Sequence, residues 1–166
     1  QAAAHCHHHA LRHVPGRGPI VVADYADNPG AGAYGDGTAL LSALLDVEIE
    51  GGCFGAIVDP EAVQTLQQHA VGEQVSLTLG GRTDPRFGGG PLAVTGRLRL
   101  LSDGNYVGCG AMIGGLERSW GPMAVLEVAG WHVLVVTVRA QVVDLQQFRA
   151  FGIDPAAMRV VAVKSM

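Results

Sequence analysis

The chain has 166 residues, 48% of them hydrophobic and 16% charged, with 24 glycines and a formal net charge of −4. That size and mixture suit one loop-rich globular domain with a sizeable core and exclude a disordered chain. The acidic balance, with Lys164 the only lysine and no basic cluster, argues against nucleic acid or an anionic membrane as a partner.

Residues 1–18 carry neither period nor core and read as a flexible tail or linker. His5, Cys6, His7, His8, His9 and His13 could gather a transition metal as a flexible cluster of soft ligands. Nothing downstream fixes their geometry, so a tag, linker or interdomain segment explains them, with adventitious metal binding left open. Pro15-Gly16-Arg17-Gly18 then breaks the chain, and residues 19–166 read as one α/β domain. The three cysteines, Cys6, Cys53 and Cys109, are far apart and include no C-x-x-C. Neither a disulfide framework nor a cysteine zinc site is indicated, and a cytoplasmic location is expected. Cys53 and Cys109 read as small buried apolar residues. No stretch approaches the roughly 20 apolar residues of a membrane span, and no signal-peptide core opens the chain.

Pro19 to Asp24 is an apolar run without alternation, which suits a strand buried on both faces of a parallel sheet. Between Asp27 and Gly37 lie Asn28, Pro29 and four glycines, Gly30, Gly32, Gly35 and Gly37, which permit sharp turns and close backbone approach. Asp36 or Thr38 would cap a helix whose apolar face is Ala39, Leu40, Ala43 and Leu44. Unpaired amides at its start would favour a carboxylate, a phosphate or another oxygen-rich ligand. The spacing matches neither the dinucleotide G-x-G-x-x-G nor a P-loop. The loop is either a site or a plain strand-to-helix connection. Asp24 and Asp27, at the strand's carboxyl end where open α/β sheets place ligands, favour the site.

Cys53 to Val58 reads as a second strand, followed by a helix capped by Asp59, opened by Pro60 and running to about Ala70 with Ala62, Val63 and Leu66 inward. The β-α-β-α order favours a parallel start. His69, near that helix's end, reads as a solvent-side residue. Val75, Leu77 and Leu79, and then Val94, Leu98 and Leu100, alternate with polar or small residues, as half-buried strands do. In the loop between them Arg82, Asp84 and Arg86 could clamp a carboxylate or simply pair with one another. Asp103-Gly104 signals a turn, and the tract from Gly108 to Gly121 reads as a surface or interdomain loop. Ala124–Val128 and His132–Val138 form a hairpin about Gly130, with His132 a packed or edge residue. This middle third is an antiparallel β insertion. A helix capped by Asp144, with Leu145, Phe148 and Phe151 on one face and Gly152 at its end, leads to a strand over Arg159–Val163. If that strand lies beside the first, Lys164 emerges at the glycine-rich loop, placed for a substrate carboxylate or for a salt bridge to Asp24 or Asp27.

Several of these stretches, taken together and in order, resemble the C-terminal domain of the microcystinase C (MlrC) metallopeptidase-like family: Ile20-Val21-Val22-Ala23-Asp24, Asp27-Asn28-Pro29-Gly30, Gly35-Asp36 with Thr38, and Asp59-Pro60-Glu61-Ala62-Val63. The resemblance continues through Gly80 to Gly88, Ser102-Asp103-Gly104, Arg139 with Gln141, Phe148-Arg149, Gly152-Ile153-Asp154-Pro155 and Val163-Lys164-Ser165. Gly37 departs from the pattern, standing where a hydroxyl residue is common. The resemblance implies a zinc site and hydrolytic chemistry on a separate N-terminal metal-binding domain of the same protein, and a peptide or amide substrate. This chain would then be an accessory domain, inactive alone, that shapes the cleft and orients substrate.

The expected fold is α/β: a β-α-β-α start on a mostly parallel sheet, an antiparallel β insertion, and a closing α-β unit. The candidate substrate-binding residues are Asp24, Asp27, Asn28, Gly30, Gly32, Gly35, Asp36, Thr38, Arg139 and Lys164. No catalytic or metal-ligating residue is expected within the fold itself, and a homo-oligomer is left open. The alternative is a non-catalytic ligand-binding or assembly module built on the glycine-rich loop. An independent hydrolase is disfavoured, because neither G-x-S-x-G nor H-E-x-x-H occurs.

Overall fold

The computed structural model describes residues 18–47 and 49–165. The histidine-rich stretch, with His5 to His9 and His13, lies outside the described residues. Among these the strands are β1 (Ile20–Ala23), β2 (Gly52–Val58), β3 (Gln74–Leu79), β4 (Leu92–Ser102), β5 (Asn105–Val107), β6 (Glu117–Ser119), β7 (Met123–Val128), β8 (Trp131–Val136) and β9 (Val160–Val163). The α-helices are α1 (Ala39–Leu45), α2 (Pro60–Leu66) and α3 (Gln146–Arg149).

A seven-stranded sheet runs in the order β1-β9-β2-β8-β7-β4-β3, and β5 pairs with β6 as a separate ribbon. β1, β9, β2 and β8 are mutually parallel, whereas β8, β7, β4 and β3 alternate in direction. The fold is therefore mixed α/β. The antiparallel insertion is part of the same sheet, extending it beyond β8. β9 enters between β1 and β2, so the two opening strands are parallel without being neighbours.

β2 explains the sheet's centre. Its residues Gly52-Cys53-Phe54-Gly55-Ala56-Ile57-Val58 are apolar or small on both faces, and all but Val58 are buried. Gly52 is required there, because a Cβ would come within 2.5 Å of the Trp131 ring. β1 corrects the expectation of burial on both faces: it is an edge strand with Val21 64% exposed. At the β7–β8 turn Ala129 and Gly130 both have positive φ, 47° and 79°, the geometry of a two-residue hairpin whose twist matches its strands.

Two apolar cores flank the sheet. One joins Leu41 and Leu44 of α1 and Ala62, Val63 and Leu66 of α2 to Phe54, Ile57, Leu98 and Val133. The other joins Phe148, Phe151, Tyr106 and Trp120 to Cys53, Leu134 and Val136. Of the face expected for α1, Leu44 is buried and Leu40 and Ala43 pack partly buried against the core, whereas Ala39 is exposed and Leu41, outside that face, is fully buried. Neither expected cap serves α1. The Thr38 hydroxyl donates to the Gly90 carbonyl at 2.5 Å, and the Asp36 carboxylate accepts from amides of another loop. α2 is capped as expected, with Asp59 Oδ1 accepting from the Ala62 amide at 2.9 Å. It ends at Leu66, because the chain turns through Gly72, whose φ is 96°, to begin β3. His69 is partly exposed on the solvent side and bonds Glu73 at 2.8 Å. His132 is packed on β8 with its Nδ1 buried and unpartnered, and burial pushes its pKa down.

Cys53 is buried, and burial pushes its thiol up to about 12. Cys109 is exposed, contrary to expectation, with its Sγ 3.3 Å from Asp144 Oδ1. Leu145 is exposed too, leaving Phe148 and Phe151 as the inner face of the last helical segment. The tract between Gly108 and Gly121 contains β6 and is not loop throughout.

Burial of Asp144 pushes its carboxyl up. The amides of Gln146, Gly110 and Cys109, together with the Cys109 thiol, outweigh this and hold it below the ordinary carboxylate value. The group therefore contributes stability that is complete above the unfolded-state value of about 3.9 and is lost as pH falls through the depressed folded value. Urea unfolding of Asp144→Asn against the parent should show a deficit that is constant above about pH 5 and narrows below about pH 4. A deficit independent of pH from neutrality to pH 3 would contradict this linkage.

Candidate functional site

The parallel register brings the carboxyl ends of β1, β9 and β2 to one edge. The Asp24 amide donates to the Val163 carbonyl at 2.8 Å, and the Lys164 amide donates to the Gly55 carbonyl at 2.8 Å. Lys164, adjacent to β1 in space though 140 residues away in sequence, sends its Nζ to Asp24 Oδ2 at 3.1 Å and to Asp27 Oδ2 at 2.8 Å. The ammonium also lies 5.6 Å from the centre of the Phe54 ring, and its side chain is 1% exposed. Two carboxylates and an aromatic face thus surround this buried side chain's nitrogen.

Asp27 is the hub of the glycine-rich loop. Its Oδ1 accepts from the Gly35 amide at 2.8 Å, while Oδ2 accepts from the Gly37 amide at 2.7 Å as well as from Lys164. Gly35 has φ 79°, and a Cβ there would meet Val58 at 2.8 Å. At Gly37, where a hydroxyl residue was the expected pattern, a Cβ would lie 2.8 Å from Asp27 Oδ2 and 3.0 Å from Gly88. The two loops cross there with no room for a side chain.

The crossing loop, residues 80–90, is bound by the same chemistry. Asp36 Oδ2 accepts from the amides of Arg82 and Thr83 at 3.0 and 2.9 Å. The Gly88 carbonyl accepts from the amides of Thr38 and Ala39 at 2.6 and 2.7 Å. Two of the helix-start amides of α1, those of Thr38 and Ala39, are thus engaged by protein. Arg82 pairs within the protein: its Nε lies 3.1 Å from both oxygens of Asp59, and Nη1 is 3.3 Å from Glu61. Arg86 pairs with Asp84 at 2.6 Å. Asp59, read from sequence only as a helix cap, also accepts from the Gly80 amide at 2.8 Å and is 1% exposed. The repeated glycines at 80–81 and 88–90 were the available signal that this loop is packed tightly against another.

Of the remaining candidates, Asn28 is buried and its Oδ1 accepts from the Gly30 amide at 2.9 Å. Gly30 and Gly32 are exposed. Arg139 is exposed and donates to the Ala33 carbonyl at 3.1 Å, while Gln141 donates to Ser165 Oγ at 2.9 Å. The structure places these ten residues on the glycine-rich loop and just beyond the carboxyl ends of β1, β8 and β9. Asp27, Asn28, Asp36, Thr38 and Lys164 are buried there, and Gly30, Gly32 and Arg139 face solvent. Beside them a cleft of about 280 Å³ is lined by Tyr34, Asp36, Asp59, Glu61, Arg82 and Thr83, among others.

A zinc ion needs three or four His, Cys, Asp or Glu donors with lone pairs directed at one point. Among the described residues no three such side chains are so grouped. The carboxylates of Asp27, Asp36 and Asp59 instead face backbone amides, Lys164 and Arg82. These residues do not fit a zinc site.

A family model described as the MlrC C-terminus matches residues 22–166. Microcystinase C from a Sphingomonas species is 36% identical over 147 residues, which are 89% of this chain and 28% of that protein. A crystal structure of a protein from Mesorhizobium sp. BNC1, provisionally named a metallopeptidase, superposes with a TM-score of 0.84 at 22% identity, covering 98% of this chain and 32% of that one. The chain thus spans about a third or less of the length of these relatives. The match over residues 22–166, nearly the whole fold, makes this chain a member of the MlrC C-terminus family.

Proposed function

We propose that this chain is the C-terminal domain, residues 19–166, of a cytoplasmic zinc-dependent hydrolase of peptide or amide bonds. The zinc is held by an N-terminal domain of the same polypeptide, and this domain forms one wall of the cleft and orients substrate. The observation that carries the reading is the 36% identity to microcystinase C over a length that is only 28% of that protein. Two free thiols, Cys53 and Cys109, suit a reducing compartment, and among the described residues no helix is long and apolar enough to cross a membrane.

Within this reading the ten residues divide by role. Asp24, Asp27, Asp36, Thr38, Lys164 and the buried Asn28 are positioning residues that hold the loops rigid. The exposed backbone at Gly30 and Gly32, with Gly35 shaping the loop behind them, and the guanidinium of Arg139 are the groups that meet the substrate. The Gly30 and Gly32 amides already donate to Asn28 Oδ1 and to the Pro29 carbonyl, so the arginine is the donor suited to peptide carbonyls and carboxylates.

The full-length protein should contain zinc and hydrolyse peptides, and a chelator should abolish the activity. Arg139→Ala should raise KM by about tenfold, the size of one lost charge-assisted hydrogen bond, with kcat and zinc content little changed. Peptide hydrolysis that survives complete metal removal would sink the functional reading. An unchanged KM in the variant would remove Arg139 from the site.

A further inference from the structure

Parallel strands are apolar on both faces and are ordinarily covered on both. On one face of β1, Ile20 and Val22 pack into the core that holds Leu41, Leu44 and Leu66. On the other, Val21 is 64% exposed beside an open groove of about 400 Å³. Val21, Val142, Leu145, Phe148, Val161 and Val163 line that groove. Asp144 is the single charged residue of the lining, and its carboxylate is engaged by the amides of Cys109, Gly110 and Gln146. The groove therefore offers apolar surface and no free charge.

We propose that an apolar element of the N-terminal metal-binding domain docks in this groove, completing the cover of β1 and β9. The proposal rests on the two-domain reading above. Pro19 is itself part of the lining, so polypeptide preceding the first strand is tethered at the groove, and tethering gives it a high effective concentration there. The relatives carry two-thirds or more of their length beyond the matched region, enough for such a domain. A charged or strongly polar peptide substrate would find no partner in the groove, whereas an apolar helix or loop of the neighbouring domain would.

Hydrogen exchange on the full-length protein tests this with Val21→Glu and Leu145→Glu, both at exposed positions where the fold tolerates a charge. Val107→Glu, 52% exposed on β5 and outside the groove lining, is the control. Both groove variants should accelerate exchange at residues 19–23 and 142–145 by about tenfold or more, with an unchanged sedimentation coefficient, while the control matches the parent. Unchanged exchange in both groove variants would overturn the assignment. Accelerated exchange accompanied by a fall from dimer to monomer would overturn it in favour of a second copy of the chain. Zinc content and peptidase activity of the parent are read separately. A metal-free, inactive parent would remove the functional reading while the exchange data still decide the docking surface.

Discussion

Lys164→Met lowers the unfolding free energy of the chain by about 3–5 kcal/mol, the range expected when one partner of a buried ion pair is removed and the other stays. Methionine keeps the unbranched stem beside Phe54, so the loss reports charge and hydrogen bonding more than packing. Asp24 and Asp27 would be left as two facing carboxylates without the ammonium that now lies 3.1 and 2.8 Å from them. The two pairs are unequal. The Asp27 side chain is 7% exposed and also holds the Gly35 and Gly37 amides, whereas that of Asp24 is 16% exposed. Double-mutant cycles should therefore give a coupling of about 2 kcal/mol or more for Lys164 with Asp27, and a smaller one for Lys164 with Asp24. Urea unfolding followed by the fluorescence of the buried Trp120 and Trp131 measures all of these. A loss below about 1 kcal/mol, the value of an exposed pair, would show that Lys164 is not the internal counter-charge described here.

Lys164 also shows where sequence reasoning succeeds. A β-branched run ending in Asp24 and another ending in Lys164 are ordinary features separately. They become one site only if the strands are parallel neighbours, an inference the switch-point rule makes available. The alternation of Val75, Leu77 and Leu79 and of Val94 and Leu98, and the Asp59-Pro60 cap, were legible because they are local and rest on backbone periodicity. The edge position of β1 was not, because an apolar run of four residues reads alike at the centre of a sheet and at its edge. Nor was the capture of Asp36 and Thr38 by the loop at 80–90. Their side chains are good caps by type, yet partners 46 to 52 residues away bind them first. The inner face of α1 was legible only in part for a related reason: in Ala39-Leu40-Leu41-Ser42-Ala43-Leu44 two registers of apolar spacing compete, and tertiary packing adds Leu41 to Leu44 and leaves Ala39 outside.

Asp59 separates a helix cap from a loop anchor, and Asp59→Asn is the discriminating change. As an N-cap, asparagine is about as good as aspartate, so if capping were the whole role the substitution would be close to neutral. The structure gives Asp59 three kinds of donor: the Ala62 amide at 2.9 Å, the Gly80 amide at 2.8 Å, and Arg82 Nε at 3.1 Å from each oxygen. Asparagine offers one acceptor, and its Nδ2 would face the Gly80 amide or the guanidinium, donor against donor, in a site that is 1% exposed. A loss of roughly 2–3 kcal/mol is therefore expected for Asp59→Asn, and about 4 kcal/mol for Asp59→Ala, which also loses the cap. Combined with Arg82→Ala, the asparagine variant should lose less than the sum of the two single changes, because the guanidinium would already be gone. In the full-length protein the loop at 80–90 would loosen against Gly37 and Thr38, so kcat should fall together with stability while zinc content holds. An Asp59→Asn variant as stable as the parent would reduce Asp59 to a cap and leave the crossed loops joined by Asp36 and by the bonds of Thr38 and Ala39 to Gly88 and Gly90.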